Sequence, residues 1–504
     1  MQLSRLLSAA GVQPLQRQGE AEVTAVTADS RRVEKGSCFI AVPGPKADGH
    51  QYIAQAARAG AAAILCENAA AVPQGVAFAT LASTAQDVGP IAQAFFNWPS
   101  RQLKLIGVTG TKGKTTFTYL VRHILARGGI DAGLIGTIAY EYAGQRIAAD
   151  NTTPGPVALA ELMSQMVAAG LMYAVMEVSS HALHQHRTGG LSFAAAAFTN
   201  LTGDHLDYHG TMDAYLDAKA LLFSGLAPSA TAVINRDDPS WAKLAAATRG
   251  RIALYAVEPG RQIDADIVAR HVHVSARGTR FELSLHGRTA SVETNLIGRH
   301  NVANCLAAAG ACAAMGLELE TIADALNLPV QVPGRCQRVC GGGDFEVFVD
   351  YAHTDDSLDN TLSALRPLTA GKLIVLFGCG GDRDRTKRPR MARVAQRLAD
   401  RIVLTQDNPR TENPQQILAD ILAGFDTAGQ AKLAVRPDRR EAIRLAISEA
   451  RRGDVVVLAG KGHENYQIIG MQKHHFDDSE VAAECVAELS QASLVVAPAG
   501  KGVR

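Results

Sequence analysis

The stretch Gly110-Thr111-Lys112-Gly113-Lys114-Thr115-Thr116 constrains this chain more than any other. It follows the apolar run Leu103 to Val108 and precedes an amphipathic pattern from Phe117 to Arg127, so it reads as strand, glycine loop and helix. In that order several backbone N–H groups and the positive end of the helix dipole meet at one point, where Lys114 adds a full charge. The point suits a nucleotide triphosphate, with Thr115 as a hydroxyl ligand of Mg²⁺. The strict Gly-x4-Gly-Lys-Ser/Thr spacing fails because position 108 is Val, yet the physical arrangement survives.

Length and charge limit what such a loop serves. At 504 residues with 47% apolar content the chain can fill about three cores of ordinary size. Fifty basic residues against 49 acidic ones leave a net charge of +1, which excludes bulk attraction to nucleic acid or to an anionic membrane. Met1 to Leu15 lacks a signal peptide's continuous apolar core, and no run reaches transmembrane length. The eight cysteines are scattered, and the close pair Cys336 and Cys340 has no second pair or histidine at zinc spacing. A cytoplasmic protein with free thiols is the expectation. Breaks near Asn97-Trp98-Pro99-Ser100-Arg101 and Gln331-Val332-Pro333-Gly334-Arg335 divide the chain into expected domains 1–100, 101–332 and 333–504. Apolar runs alternating with helical patterns make these α/β domains with largely parallel sheets, and the tail after Leu489, with Pro498, Gly500 and Gly502, reads as loosely held.

The ends of the apolar runs carry the polar residues. Tyr173 to Met176 ends in Glu177-Val178-Ser179-Ser180-His181, and Ala194 to Phe198 ends in a loop containing Asp204-His205-Leu206-Asp207-Tyr208-His209. In a parallel sheet these ends share a rim with the glycine loop, so Glu177 and His205 can face the same Mg²⁺–nucleotide. Alone, Glu177 reads equally as a strand-end carboxylate, and the Asp/His stretch as a solvated loop or a transition-metal site. Four further runs, Phe345–Val349, Leu373–Phe377, Ile402–Leu404 and Val455–Ala459, lead into loops carrying Asp350, Arg383, Asp407-Asn408-Pro409-Arg410 and Gly460-Lys461-Gly462-His463-Glu464. If those strands are parallel, their loops leave one edge and form a site for a ligand with carboxylate and ammonium groups. Arg383 and Arg410 suit bidentate carboxylate capture, and Asp407, Asn408 and Glu464 can accept from an amine.

Together, Gly110–Thr116, Glu177–His181, Asp204–Gly210, Gly298-Arg299-His300-Asn301, Asp350-Tyr351-Ala352-His353 and Gly460–Glu464 resemble the signatures of the Mur ligases, ATP-dependent amide-forming enzymes of peptidoglycan precursor synthesis. The motifs run from Asp29 to Glu464, nearly the whole chain. The resemblance implies a three-domain α/β fold: a small N-terminal domain, a central P-loop parallel-sheet ATPase domain and a Rossmann-like C-terminal domain. Asp407-Asn408-Pro409-Arg410 resembles the amino-acid-selecting motif of members that add meso-diaminopimelate to UDP-N-acetylmuramoyl-L-alanyl-D-glutamate, rather than of lysine-adding members.

Residue roles follow from the same resemblance. ATP and Mg²⁺ are the implied cofactors, with Gly110, Thr111, Lys112, Gly113, Lys114, Thr115, Thr116, Asn301, Arg335 and Asp350 at the nucleotide. Thr115, Glu177, Lys219 and His205 are implied metal-site residues, and Lys219 matches a lysine that the family carbamylates. Asp29-Ser30-Arg31 and Gly44–His50 resemble the segments holding the uridine nucleotide, with Ser30 the most direct match. Asn151, Thr152, Thr153, Ser179, Gln185 and Arg187 resemble contacts to the muramoyl dipeptide. Arg383, Asp407, Asn408, Pro409, Arg410, Gly460 and Glu464 belong to the amino-acid site. The implied partners are these small molecules alone, bound by a cytoplasmic monomer without nucleic acid or membrane insertion. Lys112 stands where Asn is common, Asp355 where Pro is usual and Gln337 where an acidic residue is frequent. Two other readings are open: a relative such as a folylpolyglutamate synthetase or lysine-adding ligase, and a P-loop switch that makes no amide.

Overall fold

A computed structural model describes residues 1–44, 47–258, 264–339 and 344–495. Pro45, Lys46, Cys340, Pro498, Gly500 and Gly502 of the sequence reading lie outside them. The chain divides into two compact units: Met1–His271, Phe281–Val292 and His300–Leu328 form one, and Val272–Arg280, Glu293–Arg299 and Pro329–Arg504 the other.

The first unit holds a small N-terminal sheet. Its strands are β1 (Gln16–Gln18), β2 (Ala25–Thr27), β3 (Ser37–Ile40), β4 (Ala63–Cys66) and β5 (Ala77–Thr80), in the order β1-β5-β4-β3-β2. β2 to β5 pair in parallel and β1 is antiparallel. β3 and β4 are buried along their length, with apolar clusters around Leu6, Ile40 and Leu65 and around Phe39, Ile53 and Ile64. Strands covered on both faces read as continuous apolar runs, as Cys38-Phe39-Ile40 and Ala63-Ile64-Leu65-Cys66 do.

The same unit carries the parallel strands of the central sheet. β6 (Lys104–Thr109), β7 (Ala132–Ile135), β10 (Tyr173–Glu177), β11 (Phe193–Phe198), β12 (Thr231–Asn235) and β13 (Arg251–Val257) lie in the order β13-β12-β11-β6-β10-β7. Their register puts Glu177 beside Val108 and Phe198 beside Thr109, so the loops after β6, β10 and β11 leave one rim at one level. The hairpin β8 (Ala139–Tyr142) and β9 (Gln145–Ala148) adds antiparallel strands, a feature absent from the sequence reading. Its turn, Ala143-Gly144, has φ of +46° and +78°, the backbone of a two-residue hairpin, and such X-Gly pairs were the available signal. β14 (Ile267–Ser275), β15 (Gly278–Leu285) and β16 (Arg288–Thr294) complete the sheet order.

The second unit contains β17 (Gln337–Arg338), β18 (Glu346–Asp350), β19 (Leu373–Phe377), β20 (Arg401–Leu404), β21 (Leu433–Val435) and β22 (Val455–Ala459), ordered β17-β18-β22-β19-β20-β21. The four strands singled out in the sequence are parallel, and only β17 runs against its neighbour. Clusters centred on Phe348, Phe377 and Leu404 and on Val349, Leu376 and Ile443 cover the two faces. A separate hairpin, β23 (Tyr466–Ile469) with β24 (Gln472–His475), follows the last loop.

Candidate active site

The phosphate loop is shaped by two glycines. Gly110 has φ +150°, and a Cβ there would fall 1.9 Å from Thr199 Oγ1; Gly113 has φ +89°, and a Cβ would fall 2.4 Å from Asn304 Oδ1. No other residue adopts that backbone and fits that space. The helix after the loop begins at Lys114, three residues earlier than the amphipathic pattern suggests, because Gly113 caps it without a side chain. Its first-turn N–H groups are thereby aimed out of the helix end. Thr199 Oγ1 and Asn200 Nδ2 donate to Lys112 O at 2.6 and 3.1 Å, and Asn200 Oδ1 accepts from Lys112 N at 3.0 Å. Lys114 Nζ folds over the loop, donating to Gly110 O at 2.8 Å and Thr111 O at 3.0 Å. Thr111 and Thr116 are buried, and Thr111 Oγ1 lies 3.2 Å from Tyr215 OH.

Glu177, 1% exposed at the end of β10, accepts from Thr115 Oγ1 at 3.0 Å, Thr137 N at 2.9 Å and Thr137 Oγ1 at 3.1 Å. Three donors give the buried carboxylate the partners it would lose on leaving water. Thr137 was missed in the sequence, although it follows the apolar run of β7 at Gly136-Thr137. A Cβ at Gly136 would lie 2.6 Å from Glu177 Oε1, so glycine there makes room for the carboxylate. The Thr137 and Thr152 hydroxyls are 3.0 Å apart, and Thr153 Oγ1 donates to Glu177 O at 2.9 Å while accepting from Ser179 N at 3.0 Å. Ser179 caps the helix Ser180–His184, Arg187 donates to Thr153 O and to Gln185 Oε1, and Asn151 N donates to Tyr140 OH. Of the dipeptide residues named from the sequence, Thr152, Thr153, Ser179, Gln185 and Arg187 thus form one hydrogen-bonded patch around Glu177, while the bonds of Asn151 run to Tyr140. Ser30 stands apart from them, opening a short turn capped by Asp29.

Lys219 is 1% exposed with Nζ 4.1 Å from the Tyr215 ring centre, and no oxygen among the described residues accepts from it. Burial, reinforced by the Lys114 charge, holds its amine well below the ordinary lysine range. His205 has φ +55° and lies 4.8 Å, ring to ring, from His181. Burial and the neighbouring imidazoles push His181 down to about 4. Among the described residues no three His, Cys, Asp or Glu side chains gather as a metal-ligating cluster. Burial, with Lys112 nearby, lowers His300, and Asn301 follows it within the helix Arg299–Ala314.

In the second unit, the loops after β20 and β22 meet. Asn408, 2% exposed, donates from Nδ2 to Glu464 Oε2 at 2.7 Å, while its Oδ1 accepts from Ile468 N at 2.9 Å. Lys461 Nζ lies 3.4 Å from Asn408 Oδ1 and 3.5 Å from Glu464 Oε2, and also donates to Tyr466 O. Burial and the Asp407 charge raise Glu464, against the opposing pull of Lys461. A Cβ at Gly460 would come within 2.8 Å of Asp407 Oδ2, so the missing side chain keeps that oxygen approachable. Arg410 is half-buried at φ +54°, its backbone bonded to Ile468 O and Gly470 N of the hairpin, with Nη1 donating to Gly381 O at 2.9 Å. Pro409 is buried, while Arg383 is exposed and donates to Asp382 O. Asp350 accepts from Cys336 N, Ala352 N and Thr361 Oγ1 at 2.7, 2.9 and 3.0 Å, which brace its loop; Arg335 lies over the Tyr351 ring.

Three family models match in sequence order: the Mur ligase family catalytic domain over 22–94, the Mur ligase middle domain over 108–312 and the Mur ligase glutamate ligase domain over 334–462. The UDP-N-acetylmuramoyl-L-alanyl-D-glutamate–2,6-diaminopimelate ligase of Gloeobacter violaceus is 45% identical over 490 residues, 97% of this chain and 98% of that one. A solved structure of a ligase of the same name is 32% identical with TM-score 0.71, covering 96% of this chain and 99% of that chain. A MurF ligase of Thermotoga maritima in complex with ADP is 17% identical with TM-score 0.60, over 94% and 98%. The chain belongs to the Mur ligase family. It is a ligase with that family's three-domain α/β fold.

Proposed function

We propose that this protein uses ATP to join meso-2,6-diaminopimelate to UDP-N-acetylmuramoyl-L-alanyl-D-glutamate in peptidoglycan precursor synthesis. The near-full-length likeness to ligases of this name carries the reading. A carboxylate resists attack by an amine because oxide is a poor leaving group. The D-glutamyl γ-carboxylate therefore attacks the γ-phosphorus of ATP, the bond to ADP breaks, and an acyl phosphate forms. The amine nitrogen then attacks the acyl carbon, inorganic phosphate leaves, and one proton is released.

The phosphate loop and Lys114 would cradle the triphosphate, Lys114 exchanging its loop carbonyls for phosphate oxygens. Thr115 donates its hydroxyl proton to Glu177, and this all-oxygen pair fits a hard cation. Mg²⁺ bound there would offset charge gathering on the transferred phosphoryl group. His205 is the remaining side chain we assign to that site. Lys219 as an ammonium would repel the cation, whereas its neutral amine can add CO₂, losing a proton to become a carbamate that offers oxygen. In the C-terminal domain, Arg410 would grip the distal carboxylate of diaminopimelate, and Asp407 and Glu464 would accept from its ammonium. Asn301, Arg335 and Ser30 are assigned to the two nucleotides by resemblance.

We retain 1–100, 101–332 and 333–504 as the domain limits, and read the protein as a cytoplasmic monomer. Mass spectrometry of the protein incubated with ATP, the muramoyl dipeptide nucleotide and meso-diaminopimelate tests the reading. The expected products are the tripeptide nucleotide, ADP and phosphate in equal amounts. ADP without a new amide would overturn it.

A further inference from the structure

Beneath the amino-acid pocket lies an ion pair in which both side chains are 0% exposed, Arg439 with Asp478. Arg439 opens the helix Arg439–Glu449, and Asp478 opens the helix Asp478–Val495. Arg439 Nε and Nη2 donate to the two Asp478 oxygens at 2.8 and 2.6 Å. The guanidinium also donates from Nη2 to Ala459 O at 3.1 Å and from Nη1 to Gln406 O at 3.3 Å. Ala459 immediately precedes Gly460, and Gln406 immediately precedes Asp407.

Those two carbonyls belong to strand ends that the sheet itself does not join. β19 lies between β22 and β20 in the strand order, so no ladder bond sets the spacing of the loops after β22 and β20. Gly378 immediately follows β19, and a Cβ there would fall 2.4 Å from Thr405 O, so its absence lets the loop after β20 pass close over the end of β19. A planar fork of donors fixed by a carboxylate can span such a gap, and a lysine's single ammonium spans less of it. We infer that Arg439, held by Asp478, is a positioning residue that sets the spacing between the Asp407–Arg410 and Gly460–Glu464 loops, and with it the affinity for diaminopimelate. The inference rests on the proposed reading of that pocket.

A buried pair can also serve only to anchor two helices, so the test separates spacing from folding. Replacing both partners by apolar residues often leaves stability unchanged, whereas removing one strands a charge. The double variant Arg439→Met/Asp478→Leu is expected to fold and to raise KM for diaminopimelate roughly tenfold or more, with KM for ATP and for the muramoyl dipeptide nucleotide within about twofold of wild type. Arg439→Lys, which keeps the charge and fewer donors, is expected to raise the same KM by a smaller factor. Arg401→Met, which breaks a half-buried pair with Glu449 in the same sheet, is the control and leaves all three values unchanged. An unaltered KM for diaminopimelate in the double variant, or three KM values rising together, would overturn the inference. If the double variant does not fold, the same split in Arg439→Lys decides. Wild-type protein that makes no amide from diaminopimelate removes the pocket reading and this inference with it, and that result is seen before any variant is compared.

Discussion

The nucleotide region of the first unit and the amino-acid region of the second solve the burial of charge in opposite ways. Around the phosphate loop, no oxygen among the described residues accepts from the buried Lys219, and Lys114 donates to carbonyls of its own loop. Around the amino-acid pocket, buried cations are matched in pairs or triads: Arg388 with Glu412 and Asp420, Arg439 with Asp478, Lys461 with Glu464. The contrast follows the ligands. A triphosphate brings a large negative charge, which the helix N-terminus and the Lys114 ammonium can meet. A zwitterion brings no net charge and is recognised by placed groups in a network whose buried cations already have partners.

Breaking the second region at Arg410 has the largest expected effect. Meso-diaminopimelate differs from lysine by one distal carboxylate, and an unpaired guanidinium in a closed pocket penalises the wrong amine by several kcal/mol. Arg410→Ala is expected to lower kcat/KM for diaminopimelate by about 10³-fold while ATP binding, followed by titration calorimetry, changes less than about twofold. Equal losses of both would make Arg410 a structural residue, since its backbone also anchors the hairpin β23–β24.

The first region is sharpened by a substitution that should separate stability from activity. A buried amine with no acceptor among the described residues costs folding free energy, and methionine fills a similar volume without a polar atom. Lys219→Met is expected to raise the thermal midpoint by a few degrees and to lower kcat by about 100-fold or more. A midpoint that falls would mean that Lys219 already has a stabilising partner, such as a carbamate held by bound cation. Calorimetry in CO₂-free buffer and in bicarbonate distinguishes the two.

What was legible in the sequence tracks how local the cause is. The phosphate loop could be read because Gly110, Gly113 and Lys114 lie in one short stretch of sequence and each has one physical reason to be there. The four parallel strands of the second unit announced themselves as uninterrupted apolar runs ending in polar loops. Thr137 escaped because its strand has only four residues and its partner Glu177 is 40 positions away. Arg439 escaped for the same reason: its bonds to Gln406, Ala459 and Asp478 cross 33, 20 and 39 positions. In isolation it is one basic residue at the start of a charged helix. The hairpin β8–β9 was written in Ala143-Gly144, a short signal without the Asn or Asp that makes such turns conspicuous.

Acid gives the mildest way to test the pairing that distinguishes the second region. Arg388 is 0% exposed; its Nη1 and Nη2 donate to Glu412 at 2.8 and 2.7 Å, and Asp382 N adds a bond at 3.1 Å. The Arg388 bonds, with help from that N–H and Arg385, hold the Glu412 carboxyl down to about 2, against an ordinary value of 4.5. Between those values the unfolded chain binds more protons than the folded one, so stability rises with pH across the window. The contribution is complete above 4.5 and is lost as pH falls from there toward 2. Solvent screening reduces it to about 1–2 kcal/mol. Glu412→Gln removes the titrating group, so its unfolding free energy should fall less steeply between pH 5 and pH 3 than that of wild type, by roughly half of this amount over that range. Parallel curves would mean that Glu412 contributes no pH-dependent stability, and the pairing beneath the Arg383 loop would then be geometric rather than electrostatic.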